Sequence, residues 1–190
     1  MEVEGKVSKQ NGGNGQYARV VLKVERFDGV FAFENATRGG VVPAAFIGSV
    51  EKGVRQALAQ GPLGFPVTGV KVTLLDGDFH AVDSNDMAFT VAAKEGMLDG
   101  LRRAVPLLLE PLMSVTVDAP ATSAGDVIGD LQRRAGRVLG IEERTGRVEV
   151  QAEVPLANLF GHTGNLRSLT QGRAFASAVY ARHAPANAVR

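Results

Sequence analysis

Apolar residues in this 190-residue chain recur with two different periods, and the places where the period changes limit what it can fold into. Between residues 3 and 33 the period is two. Val20, Leu22 and Val24 face one way, Arg19, Lys23 and Glu25 the other, and Phe31 and Phe33 resume the pattern after Asp28-Gly29. Such alternation reads as a half-buried sheet with a turn. From 43 to 60 the period becomes helical, with Phe46, Ile47, Val50, Val54, Ala57 and Leu58 on one face and Glu51, Lys52 and Arg55 opposite, until Gly61-Pro62 stops it. A strand over 67–75, a loop over 76–80 and a helix over 84–104 follow, with Ser84 as the expected amino-terminal cap.

Pro106 and Pro111 bracket a short apolar connection, after which the pattern starts afresh, so the sequence divides near residue 112 into domains 1–112 and 113–190. The second domain reads as a strand over 113–118, a helix over 125–135, strands over 137–143 and 147–154 joined by Thr145-Gly146, a short helix over 156–160 and a strand over 174–180. Its tail is expected to fray from about residue 184. The order βαββαβ is the ferredoxin-like split unit, a fold that hosts many functions and predicts none. The fold class is α+β.

Composition narrows the chemistry. The chain has no cysteine, which excludes disulfides, thiolate zinc sites, iron-sulfur clusters and cysteine nucleophiles. His80, His162 and His183 stand in unrelated contexts, so no metal site is expected. No stretch approaches the roughly 20 apolar residues of a membrane span, and Met1-Glu2-Val3-Glu4 lacks a basic, apolar signal, so a soluble, cytoplasmic chain is expected. A net charge of +1 creates no global pull towards nucleic acid. Its distribution is uneven: all six lysines lie between Lys6 and Lys94, whereas 113–190 holds nine arginines and no lysine. Arginine is the better planar partner for phosphate, although a GC-rich genome would give the same bias.

Two segments invite chemistry. The run 9–17 (Lys9-Gln10-Asn11-Gly12-Gly13-Asn14-Gly15-Gln16-Tyr17) is a glycine-rich loop between strands that could cradle a phosphate, but it lacks the G-x-x-x-x-G-K-[ST] pattern and no helix follows it. A tight hairpin connection is the plainer reading. In 76–85, His80, Asp83 and Ser84 suggest a hydrolytic triad, yet three residues within five positions cannot readily form the relay. An exposed loop histidine is the default for His80.

These segments also carry a resemblance. The loop 9–17, Gly39-Gly40-Val41-Val42-Pro43, Gly61-Pro62-Leu63-Gly64-Phe65-Pro66-Val67, Asp76-Gly77-Asp78-Phe79-His80-Ala81-Val82-Asp83-Ser84 and Leu109-Glu110-Pro111 resemble domain IV of elongation factor G in order and spacing. Gly125-Asp126-Val127-Ile128-Gly129-Asp130-Leu131, Arg134-Ala135-Gly136 and the run 166–173 from Leu166 to Arg173 resemble domain V. The resemblance implies a ribosomal protein S5 domain 2-like α/β domain IV followed by a ferredoxin-like domain V. It implies a ribosome-contacting arm whose two tip loops enter the decoding centre beside the tRNA–mRNA duplex during translocation. Those loops correspond here to Gln10, Asn11, Gly12, Gly13, Asn14, Gly15 and Gln16, and to Phe79, His80 and Asp83. A slim, glycine-rich tip suits recognition of RNA by shape and backbone. Domain V of the family meets the large subunit near its GTPase-associated RNA, which makes Arg133, Arg134, Arg167 and Arg173 candidates for phosphate contact.

The departures from the family are also informative. The nucleotide-binding domain is missing, so the resemblance implies a carboxy-terminal fragment that does not hydrolyse GTP and holds no cofactor, with GTP and Mg belonging to the parent, whose GTPase and linker domains would be its partners. In the helix over 90–103, Ala93-Lys94-Glu95-Gly96 replaces a more apolar run, and Gly100 weakens the helix by about 1 kcal/mol relative to alanine. Residues 176–190 lose the usual aromatic and acidic side chains, and together these features suggest a divergent paralogue. A translocase, a recycling-specialised paralogue and a tetracycline-type ribosomal protection protein share the architecture, and the glycine-rich loop looks more like that of the translocases. A free-standing RNA-binding module and an enzyme built on His80, Asp83 and Ser84 are the remaining alternatives.

Overall fold

The computed structural model describes residues 1–9 and 15–186, which form two compact units that divide between Pro106 and Leu107. The division falls six residues before the boundary expected at 112. The reason is that Leu109–Pro120 is one continuous strand of the second unit. Pro111 lies where that strand is paired on one side only, with His183, and this is where a sheet tolerates a residue without an N–H.

The first unit contains β1 (Glu2–Lys9), β2 (Gln16–Arg26), β3 (Phe31–Asn35), α1 (Ala44–Ala59), β4 (Val70–Asp78) and α2 (Asp86–Arg103). The alternation read from the sequence is present in β1 and β2, which pair antiparallel from Glu2↔Lys23 to Lys9↔Gln16. The sheet order is β1-β2-β4-β3, so β3 does not fold back on β2. β4 enters between them, antiparallel to β2 and parallel to β3, with α1 as the crossover. β4 also runs on through Asp76–Asp78, which the sequence reading left in a loop, because Arg19 and Val20 continue to pair with Asp78 and Gly77 past a register shift at Val21/Leu22.

The core lies between the sheet and the helices, where Val20, Leu22, Val72 and Leu74 meet Val50, Val54, Phe89 and Met97. Phe89 is fully buried and stacks on Phe46, with ring centroids 4.9 Å apart, which joins α2 to α1. α2 sits directly on β1. A Cβ on Gly5 would overlap the Ala92 carbonyl, and one on Gly96 would come within 2.8 Å of Gly5 Cα. Gly96 and Gly100, read from the sequence as weakening and divergent, are therefore packing positions: Gly100 lies against Val3, and the helix propensity given up is the condition for a strand to lie this close.

The second unit contains β5 (Leu109–Pro120), a 3-10 turn (Ala121–Ser123), α3 (Ala124–Arg133), β6 (Arg137–Arg144), β7 (Arg147–Pro155), a second 3-10 turn (Leu156–Leu159), α4 (His162–Thr170) and β8 (Phe175–Pro185). The antiparallel sheet order β6-β7-β5-β8 is that of a ferredoxin-like βαββαβ unit. The second helix is α4, not 156–160. α4 escaped the periodicity because the residues it buries, His162, Leu166 and Thr170, include a single aliphatic side chain. Of the tail expected to fray from 184, residues 184 and 185 instead continue β8, Ala184 buried and paired with Glu110 and Pro185 with Leu109, while 187–190 lie outside the described residues.

Two substitutions test the β1–α2 contact. Gly5→Ala should destabilise the first unit by about 3 kcal/mol, since a backbone-to-backbone overlap cannot be relieved by rotamer change. Gly48→Ala, on the exposed face of α1 with nothing within 4 Å of the added methyl, should stabilise it by about 0.5–1 kcal/mol. Urea unfolding of both variants measures the contrast.

Candidate nucleic-acid interface

At one end of the first unit the β1–β2 connection lies beside the β4–α2 connection. Of the tip residues read from the sequence, Gln10, Asn11, Gly12, Gly13 and Asn14 lie outside the described residues. Gly15, Gln16, Phe79, His80 and Asp83 are brought together here. A Cβ on Gly15 would stand 2.5 Å from Asp83 Oδ1, so the absence of a side chain is what lets the carboxylate lie against the first loop.

Backbone and side-chain hydrogen bonds join the two connections. The Tyr17 amide donates to the Asp83 carbonyl (2.9 Å), and the Ser84 hydroxyl donates to the Tyr17 carbonyl (2.7 Å) while accepting from the His80 amide (2.8 Å). The Ser84 amide closes the turn on the His80 carbonyl at 3.0 Å. Below this, the Tyr17 phenol donates to Asp78 Oδ2 (2.8 Å) and Asp78 Oδ1 accepts from the Phe79 amide (2.9 Å). The hydrogen bond to Asp78, with some desolvation, pushes the Tyr17 hydroxyl above its ordinary value. The helix cap is Asn85, whose side chain accepts from the Ala88 amide at 2.9 Å, so Ser84 is released from the capping role expected of it. Its position also answers the triad reading. The Ser84 proton is directed to a backbone carbonyl, and the His80 ring meets Asp83, with Nδ1 3.0 Å from Oδ2.

Several charged residues of the sheet are paired with one another. Arg19 binds Glu4 (2.9 Å) and Asp76 (3.2 Å), Lys23 lies 2.8 Å from Glu25, and Lys71 lies 2.9 Å from Glu34. Hydrogen bonds from Arg19 to Glu4 and Asp76 hold its guanidinium above the ordinary value. These residues offer little net field to a polyanion. At the tip, by contrast, the His80 side chain is 61 % exposed, and Val82 beside it projects into solvent.

In the second unit the four candidate arginines separate. Arg133 and Arg167 are exposed, and Arg173 is exposed with only long contacts to the Thr170 carbonyl and Gln171. Arg134 is not a free phosphate partner: its Nε donates to Asp130 Oδ2 (2.9 Å) and its Nη1 to the carbonyls of Asn158 (2.7 Å) and Phe160 (3.2 Å). Asp130, 2 % exposed, also bonds His162 Nδ1 (2.9 Å) and accepts from Asn165 Nδ2 (2.5 Å). Since His162 Nε2 is buried without a partner, the ring proton belongs on Nδ1, facing the carboxylate. Burial, the largest influence, pushes Asp130 up, but hydrogen bonds from Arg134, His162 and Asn165 outweigh it and hold the carboxyl below its ordinary value. Sequence reading missed this centre because His162 and Asn165 lie 32 and 35 residues from Asp130 in the chain. Among the described residues no group of three or more His, Asp or Glu converges as a metal set.

Residues 1–105 match the family model for elongation factor G, domain IV, and residues 107–190 match that for the elongation factor G C-terminus. The chain belongs to the elongation factor G family. A crystal structure of a protein from Thermus thermophilus is similar to it, with 39% sequence identity and a TM-score of 0.86, covering 98% of this chain and 28% of that one. The two matched models account for domain IV and the C-terminus of this translation factor family, and neither is a nucleotide-binding domain. No helix among the described residues is long and apolar enough to cross a membrane.

Asp130→Ala should cost the second unit about 3 kcal/mol at neutral pH, since it strands buried donors from Arg134 and His162. Because the native carboxyl is held low, its contribution is complete above the unfolded value of about 4 and is lost as pH falls through the native value. The gap between the two proteins in urea unfolding should therefore close on acidification below about pH 4.

Proposed function

We propose that this chain is the ribosome-contacting arm of an elongation factor G-like translation factor, in which the tip of the first unit enters the decoding region beside the tRNA–mRNA duplex and promotes translocation. The observation that carries this reading is the joining of the two tip connections through Tyr17, Asp83 and Ser84, which presents His80 and the end of the glycine-rich loop as one rigid surface. Membership of the family supports it. GTP hydrolysis, with its Mg, takes place in the parent's nucleotide-binding domain. Arg133, Arg167 and Arg173 are the phosphate-contacting candidates for the large subunit, and Arg134 is withdrawn from that set because its guanidinium supports the fold.

The chain alone should bind ribosomes weakly and lose affinity steeply with added salt, and it should show no affinity for GTP. In the full-length parent, His80→Ala should slow single-turnover translocation by about two- to tenfold, corresponding to one net hydrogen bond, while GTP hydrolysis on the ribosome stays intact. Slowed subunit splitting with unchanged translocation would identify a recycling paralogue. Unchanged rates in both assays would refute the tip reading.

A further inference from the structure

We propose that the β3–α1 connection, residues 36–43, is a third element of the candidate nucleic-acid interface, in which Arg38 contacts a backbone phosphate of RNA. The inference rests on the ribosome-contacting reading and supplies the charged contact that the two tip loops do not contain.

Neither 10–16 nor 79–85 includes a lysine or an arginine, so those loops cannot neutralise a phosphate. On the adjoining sheet, Arg19, Lys23 and Lys71 are committed to Glu4, Asp76, Glu25 and Glu34. Arg38 is exposed and has no acidic partner among the described residues.

The fold brings this arginine to the tip end of the unit. β3 runs parallel to β4 from Phe31↔Val70 to Asn35↔Leu74, so its carboxy-terminal end points the same way as the end of β4 that leads into Phe79 and His80. The connection is tied down at both ends. The Ala36 amide donates to the Leu74 carbonyl at 2.9 Å, and the Asn35 side chain accepts from the Thr37 amide (3.0 Å) and hydroxyl (2.8 Å). At its far end Val42, 3 % exposed, packs on Gly77, where a Cβ would overlap its side chain, only two residues before Phe79. Between these anchors Arg38 is followed by Gly39 and Gly40, whose φ angles of +67° and +72° favour glycine and whose Cβ positions meet no atom within 4 Å. An RNA surface can therefore approach the backbone beside the guanidinium. At the opposite edge of the sheet, in the order β1-β2-β4-β3, Lys9 ends β1 and is also exposed, so cations bracket the two tip loops. A guanidinium presents a planar fork that matches two phosphate oxygens, and each phosphate it neutralises releases a counterion.

The test uses the 190-residue chain and purified ribosomes across a salt series. Arg38→Ala should weaken binding at low salt and make the slope of log affinity against log salt smaller by about one, whereas Arg38→Lys should keep the slope. The control is Arg102→Ala, an exposed arginine about 24 Å further along α2 from its first residue, which should leave the slope unchanged. Equal slopes for wild type and Arg38→Ala, or an equal loss in Arg102→Ala, overturn the proposal. Because the chain has no cysteine, Arg38→Cys can carry a single photo-cross-linker. It should attach to RNA, and attachment to ribosomal protein or to nothing overturns the phosphate assignment. If His80→Ala weakens binding while Arg38→Ala does not, this inference fails and the ribosome-contacting reading stands. If the wild-type chain does not bind ribosomes at any salt concentration, that reading falls and this inference with it.

Discussion

In the first unit the approach of β1 to α2 is main chain to main chain, with Gly5 against Ala92 and Gly96. Much else in that unit depends on it. β1 leads into the glycine-rich connection and α2 begins just after the second tip loop, so the distance between these two elements sets how near the two loops come to each other. A methyl group on either glycine would push the helix off the strand and separate Tyr17 from Asp83 and Ser84. The hydrogen bonds at the tip, each worth about 0.5–1.5 kcal/mol net, hold the loops only because the layers beneath them already place the partners within reach.

The second unit solves a different problem. Its second helix buries little aliphatic surface, since His162 and Thr170 occupy two of its three inward positions. What replaces a hydrophobic stripe is Asp130, a buried carboxylate surrounded by donors from α4 and from the arginine that caps α3. The same arginine holds the carbonyls of Asn158 and Phe160, so the turn before α4 and the start of α4 are fixed through one guanidinium. A charge this deeply buried is tolerable because the carboxylate is satisfied by hydrogen bonds on both oxygens.

Electrostatics divide the first unit between fold and function. Ion pairs on the sheet neutralise Arg19, Lys23 and Lys71. The described residues of the tip present polar groups in fixed geometry, the kind of surface the proposed RNA contact calls for. Exposed cations outside these pairs lie on both units, Lys6 and Lys9 on the first and Arg133 and Arg167 on the second.

The sequence by itself determined the α+β class, the two-unit division to within six residues, most strands and three of the four helices, because each of these is written in the spacing of apolar side chains along one segment. It also determined the family, through motifs whose order carries the information. It located Gly15, His80, Asp83 and Ser84 in the right loops and gave Ser84 the wrong task. A serine before a helix reads locally as a cap, and only the arrival of Tyr17 from 67 residues away makes it a bridge. The same limit explains the insertion of β4 between β2 and β3, the reason for Gly96 and Gly100, and the removal of Arg134 from the surface. Each is decided by a partner distant in sequence, and no local period or propensity records which distant partner will arrive. That choice belongs to the tertiary structure, where buried polar groups must be satisfied and main chains must pack without overlap.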